Sequence, residues 1–458
     1  MAWPNALALA HLEASGQLTP EFKKVAIERT RMGYQRVLSF QSRDGGFALF
    51  CGGPSEPYLT AFGLAMLADI DRAIGGVDSG VLSRAREYLR RTQRADGSWQ
   101  GDPTITAYVA WGIVGDEGSK GPLRAALGYL AREVSFFANR PYALGLYAGA
   151  LAASGDPGAA SSIDRLVPLS RLEGESRAWR GEEITLTHAY SDAATVEATA
   201  LAALALSGAR RAEASEARVW LLSARGPGGL WYSTQGTVLA LKALLAEPAG
   251  GSRLEAPREV EFLLDGKRIG GATLEPGKEE VLRFADLSAA FADPGRRTLE
   301  IASEGHDLPP VTVQLVTRYN VPWGKEPEAA AGALDLEVRY DRTELAPGET
   351  VRAWATVRHG GDQPTGMVLA RLPVPPGFAP SPDTARTLDA LPHVERVDLE
   401  PGWVTVYLDH LDAGEKIDLA FALVARRRGQ VAVKAAEVWE YYAPASRAET
   451  QATAFVVR

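Results

Sequence analysis

Chemistry at neutral pH needs a nucleophile, a base or a metal ligand, and this chain carries few candidates for any of them. Its single cysteine, Cys51, is followed by Gly52-Gly53-Pro54 and has no nearby histidine, so a disulfide, a thiolate–imidazole pair and a cysteine-based metal cluster are all excluded. The six histidines are His11, His188, His306, His359, His393 and His410, and no two stand at metal-ligand spacing. No His-Glu-x-x-His, phosphate loop, Gly-x-Ser-x-Gly, Gly-x-Gly-x-x-Gly or paired-aspartate motif is present. His11 lies in an apolar helical run and reads as a satisfied core residue, whereas His188 precedes a buried helix and is the candidate to line the mouth of the fold. Trp439, Tyr441 and Tyr442 end one strand; their ordinary reading is core packing, because strand faces need large side chains. Arg426-Arg427-Arg428, just before Gly429, reads as a solvated turn. These residues point to a chain that is not an enzyme and takes no cofactor and no metal.

The bulk composition narrows the partners. At 458 residues the chain exceeds one ordinary core, so two to four domains are expected. A net charge of −8 argues against nucleic acid or an anionic membrane, both of which require a basic footprint. The longest uncharged apolar run, Pro141 to Ser154, falls short of the roughly 20 residues needed to span a bilayer. Met1-Ala2-Trp3-Pro4-Asn5 shows neither the basic nor the apolar region of a signal peptide. The expectation is a chain that opens inside a fold.

The elements that would position these residues follow from a repeat. Gly228-Gly229-Leu230-Trp231 leads into the apolar helix Thr237 to Leu245. The same grammar occurs in Gln41-Ser42-Arg43-Asp44-Gly45-Gly46-Phe47 and in Gln93-Arg94-Ala95-Asp96-Gly97-Ser98-Trp99. Runs apolar on every side (Pro4–Ala14, Tyr58–Leu67, Ile105–Val114, Tyr142–Ala153, Val196–Leu206, Thr237–Leu245) alternate with amphipathic ones (Glu21–Phe40, Val81–Thr92, Leu123–Val134, Ala159–Leu169, Ala212–Leu222). In Glu21–Phe40 the apolar face is assigned to Val25, Met32, Tyr34, Val37 and Leu38. An inner ring of buried helices inside an outer ring with one wet face is an α/α toroid. Six inner helices have five outer partners, so one outer helix is expected upstream of Met1 or is absent.

Beyond Pro248-Ala249-Gly250-Gly251 the period becomes that of strands. Val260–Leu264, Val281–Phe284, Arg297–Ile301 and Val311–Val316 predict a thin sheet, and Asp265-Gly266 a hairpin turn. Pro322 to Ala333 reads as a linker. Strands at Leu334–Tyr340, Val351–Val357, Met367–Leu372, Trp403–Leu408, Ile417–Val424, Gln430–Tyr441 and Ala448–Val457, with a short helix within Ser381–Ala390, predict a β-sandwich. The class is a multidomain α + β chain.

Two resemblances follow from these motifs. Gln93 through Trp99 resembles the Gln-Trp repeats of terpenoid cyclases, implying an isoprenoid cyclase or prenyltransferase, but the acidic or zinc ligands of those enzymes are missing. The second covers essentially the whole chain. Tyr34-Gln35-Arg36, Tyr58-Leu59-Thr60-Ala61-Phe62, Thr106-Ala107-Tyr108, Val196-Glu197-Ala198-Thr199, Ser233-Thr234-Gln235, Arg318-Tyr319-Asn320, Pro376-Gly377-Phe378, Val406-Tyr407-Leu408-Asp409 and Tyr441-Tyr442 stand in the order found in the C-terminal part of α2-macroglobulins and thioester complement proteins.

That resemblance implies residues 1–247 as a thioester-type helical domain and 248–320 as the later half of a CUB domain. It further implies a linker at 321–333 and a macroglobulin or receptor-binding sandwich at 334–458. The implied function is that of the C-terminal portion of a broad-spectrum protease trap, an endopeptidase inhibitor with proteases as its partners. It also implies a bacterial source and a periplasmic or extracellular site, with any membrane tether upstream. Trp439, Tyr441 and Tyr442 match aromatics that shield the thioester. The family's Cys-x-Glu-Gln, which belongs just ahead of the helix at Pro4–Leu12, is absent, and Cys51 lacks the glutamine needed for that ring. A non-covalent protein- or peptide-binding toroid is the alternative. Fast ester-forming relatives carry a histidine in the loop matching Gly97–Thr104, which has none here, so amine-selective reaction is expected. Pro382 and Arg386 stand in the stretch matching the receptor-binding lysines, so recognition by an animal endocytic receptor is not expected.

Overall fold

The computed structural model describes residues 2–16, 18–181, 183–226, 229–246, 256–276, 288–291, 295–303, 333–441 and 443–458. His306, Tyr442, the strands expected at Val281–Phe284 and Val311–Val316, and the linker to Gly332 lie outside the described residues. The helices fall into two shells. The inner shell holds α1 (Ala2–Ala14), α3 (Pro57–Ile74), α5 (Pro103–Ile113), α7 (Pro141–Ser154), α9 (Ser191–Gly208) and α11 (Thr234–Leu245). Between them run α2 (Pro20–Leu38), α4 (Ser79–Thr92), α6 (Lys120–Leu130), α8 (Ala159–Leu166) and α10 (Glu213–Ser223). Proline opens α2, α3, α5 and α7, where its missing N–H is not needed, and Thr19, Asp78, Asp102 and Ser233 cap α2, α4, α5 and α11. Each inner helix packs on the next and α1 meets α11, so the inner ring closes. Small residues permit this: a Cβ on Gly112 would lie 2.9 Å from that of Ala61.

The turns between outer and inner helices share one device. The backbone N–H of Phe47, Trp99, Trp179 and Trp231 donates to the hydroxyls of Thr60, Thr106, Thr199 and Thr237, respectively, on the following inner helix, in its first turn or, for Thr199, at mid-helix, at 2.9–3.1 Å. The indole N–H of Trp99, Trp179 and Trp231 donates to Leu89, Leu166 and Leu221, the last turns of the preceding outer helices, at 2.9, 2.8 and 2.6 Å. One aromatic thus ties an outer helix to an inner one. Gly97 shows why the turn needs glycine: its φ is +95°, and a Cβ would meet the carbonyl oxygen of Ala125 on α6 at 2.2 Å. The repeat has a fourth copy at Arg177-Ala178-Trp179, hidden in the sequence because a short hairpin replaces the glycines.

Two sequence assignments need correction. Val25 is 45% and Met32 67% exposed, because α2 turns a stripe at Ala26, Thr30, Gly33 and Val37 toward its neighbours. A Cβ on Gly33 would lie 2.3 Å from that of Ala2, so the small residues, not the large ones, face α1. His11 is half-buried rather than core.

No described helix covers the seam between α11 and α1. A buried carboxylate bridges it: Asp69 of α3 accepts the indole N–H of Trp3 at 2.7 Å and pairs with Lys242 of α11 at 2.7 Å and Arg72 at 2.8 Å. The Lys242 ammonium also lies 5.1 Å from the centre of the Trp3 ring.

After α11 the strands Arg258–Leu264, Lys267–Leu274 and Leu299–Ser303 form a three-stranded sheet turning at Asp265-Gly266. The C-terminal part stacks two antiparallel sheets. One orders Phe378–Pro380, Lys416–Ala425, Thr350–His359 and Leu334–Tyr340; the other orders Val394–Glu400, Trp403–Leu408, Val368–Pro373, Glu437–Glu440 and Ala443–Glu449. The segment expected as one strand over Gln430–Tyr441 divides into Gly429–Val433, which joins Thr453–Val457 and Glu344–Leu345 in a third, three-stranded sheet, and Glu437–Glu440 in the second, and Ala448–Val457 divides likewise between Ala443–Glu449 and Thr453–Val457. A chain that passes between stacked sheets must break its ladder at the corner.

Replacing Trp179 by Phe keeps the ring and loses one buried hydrogen bond, for an expected loss of about 1–3 kcal/mol. Trp179→Ala should lose about 3–5 kcal/mol. Urea denaturation measures both; a Trp179→Phe variant as stable as the parent would mean that the indole N–H contributes nothing. Asp69→Ala should cost roughly 3 kcal/mol by leaving Lys242 unpaired at the seam, and a thermal shift no larger than that of an exposed control such as Glu28→Ala would refute the bridge.

Candidate functional site

The N-terminal turns of α5, α7, α9 and α11 gather around a buried polar network. Glu197, fully buried on α9, accepts the hydroxyl of Thr187 at 2.7 Å and that of Ser233 at 3.2 Å on Oε1, while Oε2 meets no donor. Gln235 of α11 donates to the phenol oxygen of Tyr108 on α5 at 2.9 Å, and its own Oε1 has no partner. The amide of Tyr142, at the start of α7, donates to Glu183 at 2.7 Å. Burial pushes the Glu197 carboxyl up to about 7 against the pull of its hydroxyl donors, and it raises the Tyr108 and Tyr142 phenols well above their usual range. This centre is a store of unmet hydrogen bonds in a dry environment. The sequence signal for it was an acidic residue inside an otherwise apolar run, Val196-Glu197-Ala198.

A second feature lies where α1 begins. A crevice of about 290 Å3 is lined by Trp3, Phe40, Phe47, Phe62, Met66 and Thr234 among others. Phe62 meets the Trp3 ring edge to face at 4.8 Å. Four aromatic rings line this space, which stays open on one side, where Leu49 is exposed.

The sandwich touches the toroid at two points near these turns. The guanidinium of Arg396 lies 5.6 Å over the ring of Phe50 and 5.8 Å over that of Tyr407. Gly366 lies against Tyr190 and the carbonyl of His188; a Cβ there would come 2.6 Å from the Tyr190 ring, so glycine is required by the approach. Register pairing sets Arg396, Tyr407, Leu369, Trp439 and Arg447 in one row across the sheet. Trp439 therefore stands on the face opposite the core residues Val406, Ala370 and Val438, in the row whose Arg396 meets the toroid. Tyr441 is 44% exposed and its amide donates to the carbonyl of Met367. His188 is exposed, with φ +58°, on the loop that meets Gly366. Cys51 is exposed, its sulfur 3.4 Å from the Ser39 hydroxyl. The structure thus brings Cys51, Phe50 and the Trp439 row to one contact and His188 to the other.

Glu197 sets a pH dependence. Its folded-state carboxyl titrates at about 7, against about 4.3 unfolded, so between these values the native state holds a proton the unfolded chain has released. Stability is full below the lower value, falls as pH rises through the window, and levels above the upper one; the loss is roughly 3–4 kcal/mol. Glu197→Gln should flatten that decline in urea titrations at acid and alkaline pH, and an unchanged slope in the variant would assign it elsewhere.

Comparison with known proteins supplies the family. The family model described as the A-macroglobulin TED domain matches residues 1–246, and the A-macroglobulin receptor binding domain matches residues 363–453. Thioester-containing protein 1 allele S1 of Anopheles gambiae is 21% identical over 96% of this chain and 33% of its own length. Complement C3 of Lethenteron camtschaticum is 24% identical over 97% of this chain and 30% of its own. The chain thus spans about a third of these curated relatives. Among solved structures, Salmonella alpha-2-macroglobulin reacted with methylamine superposes with a TM-score of 0.68 at 19% identity, covering 99% of this chain and 29% of that one. Native alpha-2-macroglobulin from Escherichia coli, from domain MG7 to the C-terminus, gives a TM-score of 0.64 at 16% identity, covering 99% of this chain and 72% of that one. With its helical toroid matched over more than half its length and the receptor-type sandwich following in order, the chain belongs to the A-macroglobulin family.

Proposed function

We propose that this chain is the C-terminal portion of an α-macroglobulin-type protease trap, without catalytic activity of its own. The observation that carries the reading is the aromatic-walled crevice at the start of α1, close to the loop that meets the sandwich. A thioester survives only where bulk water is excluded, and in this family the reactive Cys-x-Glu-Gln belongs immediately ahead of the helix that is α1 here. In this reading residues 1–247 hold the thioester region, 248–320 complete a CUB domain, and 334–458 form the covering sandwich. Trp439, Tyr441 and Tyr442 shield the reactive bond, and His188 sits at the rim. The partners are proteases, met in the periplasm or outside the cell. Among the described residues, no helix is long and apolar enough to cross a membrane.

The exposed Cys51, followed by Gly52-Gly53-Pro54 and lacking the glutamine of a thioester ring, supports a second reading, a toroid that binds protein or peptide without covalent capture. The two separate in one experiment. A polypeptide carrying Cys-x-Glu-Gln ahead of Ala2 is offered labelled methylamine and labelled glycerol, then a protease. The trap reading expects covalent labelling, and the histidine-free loop Gly97–Thr104 expects methylamine to outpace glycerol. Equal rates would refute amine selectivity, and protease retained with no covalent adduct would establish the second reading.

A further inference from the structure

The sequence places no two histidines at metal-ligand spacing, yet folding brings His393 and His410 together on the sandwich. His393 ends the turn before the strand Val394–Glu400, and Asp409-His410 follows the strand Trp403–Leu408. These strands are antiparallel neighbours, and the amide of Asp409 donates to the carbonyl of His393 at 2.9 Å. The two rings meet edge to face with centres 4.4 Å apart. Asp409 Oδ1 lies 3.2 Å from His393 Nδ1 and 2.9 Å from His410 Nδ1. One ligand atom from each of the three residues falls within 4.8 Å of the others.

The other ring nitrogens decide what this geometry means. His393 Nε2 lies 3.3 Å from Glu415 Oε1, and His410 Nε2 lies 3.9 Å from Asp412 Oδ1. Glu415 is held in place, since its Oε2 accepts the amide of Asp412 at 2.7 Å. A neutral imidazole carries one N–H. A His393 that donates from Nε2 to Glu415 turns a bare Nδ1 lone pair toward a carboxylate oxygen, and His410 aims its own Nδ1 at that same oxygen. Lone pairs facing lone pairs repel unless a proton or a metal cation stands between them, and a metal ion takes the place that a ring proton otherwise fills. An outer carboxylate that orders the far nitrogen while the near one faces a ligand is how proteins orient metal-binding histidines.

We propose that His393 Nδ1, His410 Nδ1 and Asp409 Oδ1 bind a divalent transition-metal ion of the zinc class, with Glu415 and Asp412 as the outer carboxylates. Two imidazoles and one carboxylate suit zinc and its neighbours rather than magnesium or calcium. Ligand bonds of about 2.0–2.2 Å in a tetrahedron require ligand atoms about 3.3–3.6 Å apart, so the two carboxylate–imidazole spacings of 3.2 and 2.9 Å need to open only slightly, while the two imidazole nitrogens lie within 4.8 Å of each other. The three ligands are partly exposed, which gives the ion a way in and leaves a fourth position for water or another donor. Binding would clamp the turn at His393 to the turn after Leu408. Leu411, between His410 and Asp412, exchanges two hydrogen bonds with Thr365, the neighbour of the Gly366 that meets the toroid. The ion would therefore stiffen the segment that carries the contact between the two parts.

The test uses the purified chain, stripped with chelator and titrated with zinc chloride against a chromophoric chelator. One tight equivalent is expected, unaffected by excess magnesium, with a rise in melting temperature. His393→Ala and His410→Ala should abolish that equivalent, Glu415→Gln should weaken it about 10–100-fold, and His11→Gln should leave it intact. X-ray absorption at the zinc edge of the unmutated protein should show two imidazoles, which does not depend on any variant folding. No tight equivalent, a zinc spectrum without histidine scattering, or unaltered binding by folded His393→Ala and His410→Ala variants would overturn the site.

Discussion

The toroid depends on a hydrogen bond made from an aromatic that is itself the packing. At Trp99, Trp179 and Trp231 the ring fills the turn, its indole N–H satisfies a carbonyl at the end of an outer helix, and its backbone N–H goes to a threonine of the next inner one. Helix ends leave carbonyls without partners, and burying them unpaired is expensive. The plug removes that cost three times with the same side chain. Phe47 keeps the backbone half of the arrangement but has no N–H on its ring.

This fastening lets the inner helices be made almost wholly of small apolar residues. Such helices have no wet face and no strong sideways preference, so their order around the ring is set by the plugs and by contacts such as Gly112 against Ala61. Where no outer helix is described, between α11 and α1, a charged bridge at Asp69 takes over the fastening.

The ends of the inner helices then become the place where polar groups can be trapped. Glu197, Gln235, Tyr108 and Tyr142 converge there because each lies within the first turns of a different inner helix, or on the next turn inward. Three of their oxygens, on Glu197, Gln235 and Tyr142, have no partner, a state that persists only when the surrounding packing over-determines it. Loops leading to this region, at Phe50 and at His188 to Tyr190, are the ones that meet the sandwich, so chemistry and the contact between the two parts share a neighbourhood.

The amino-acid order alone marked the alternation of apolar and amphipathic helices and the change to strands after them, because those patterns follow from local periodicity, glycine and proline, but it missed the strands Lys267–Leu274, Phe378–Pro380 and Val394–Glu400 and overstated the burial of α1, which buries only Ala2, Trp3, Ala6 and Leu9. It marked three of the four plugs; the fourth escaped because Trp179 sits on a hairpin rather than after glycines. It also misjudged α2, since the 3.6-residue period identifies a stripe but cannot say whether Val25 and Met32 or the smaller Ala26 and Gly33 face the neighbour. Only the tertiary structure decided that Glu197 is a partly unsatisfied buried carboxyl and that Trp439 shares a row with the toroid-facing Arg396. It alone set His393 beside Asp409-His410. Distance along the chain says nothing about residues joined through a strand register, and an antiparallel pairing can bring together side chains that no spacing rule connects.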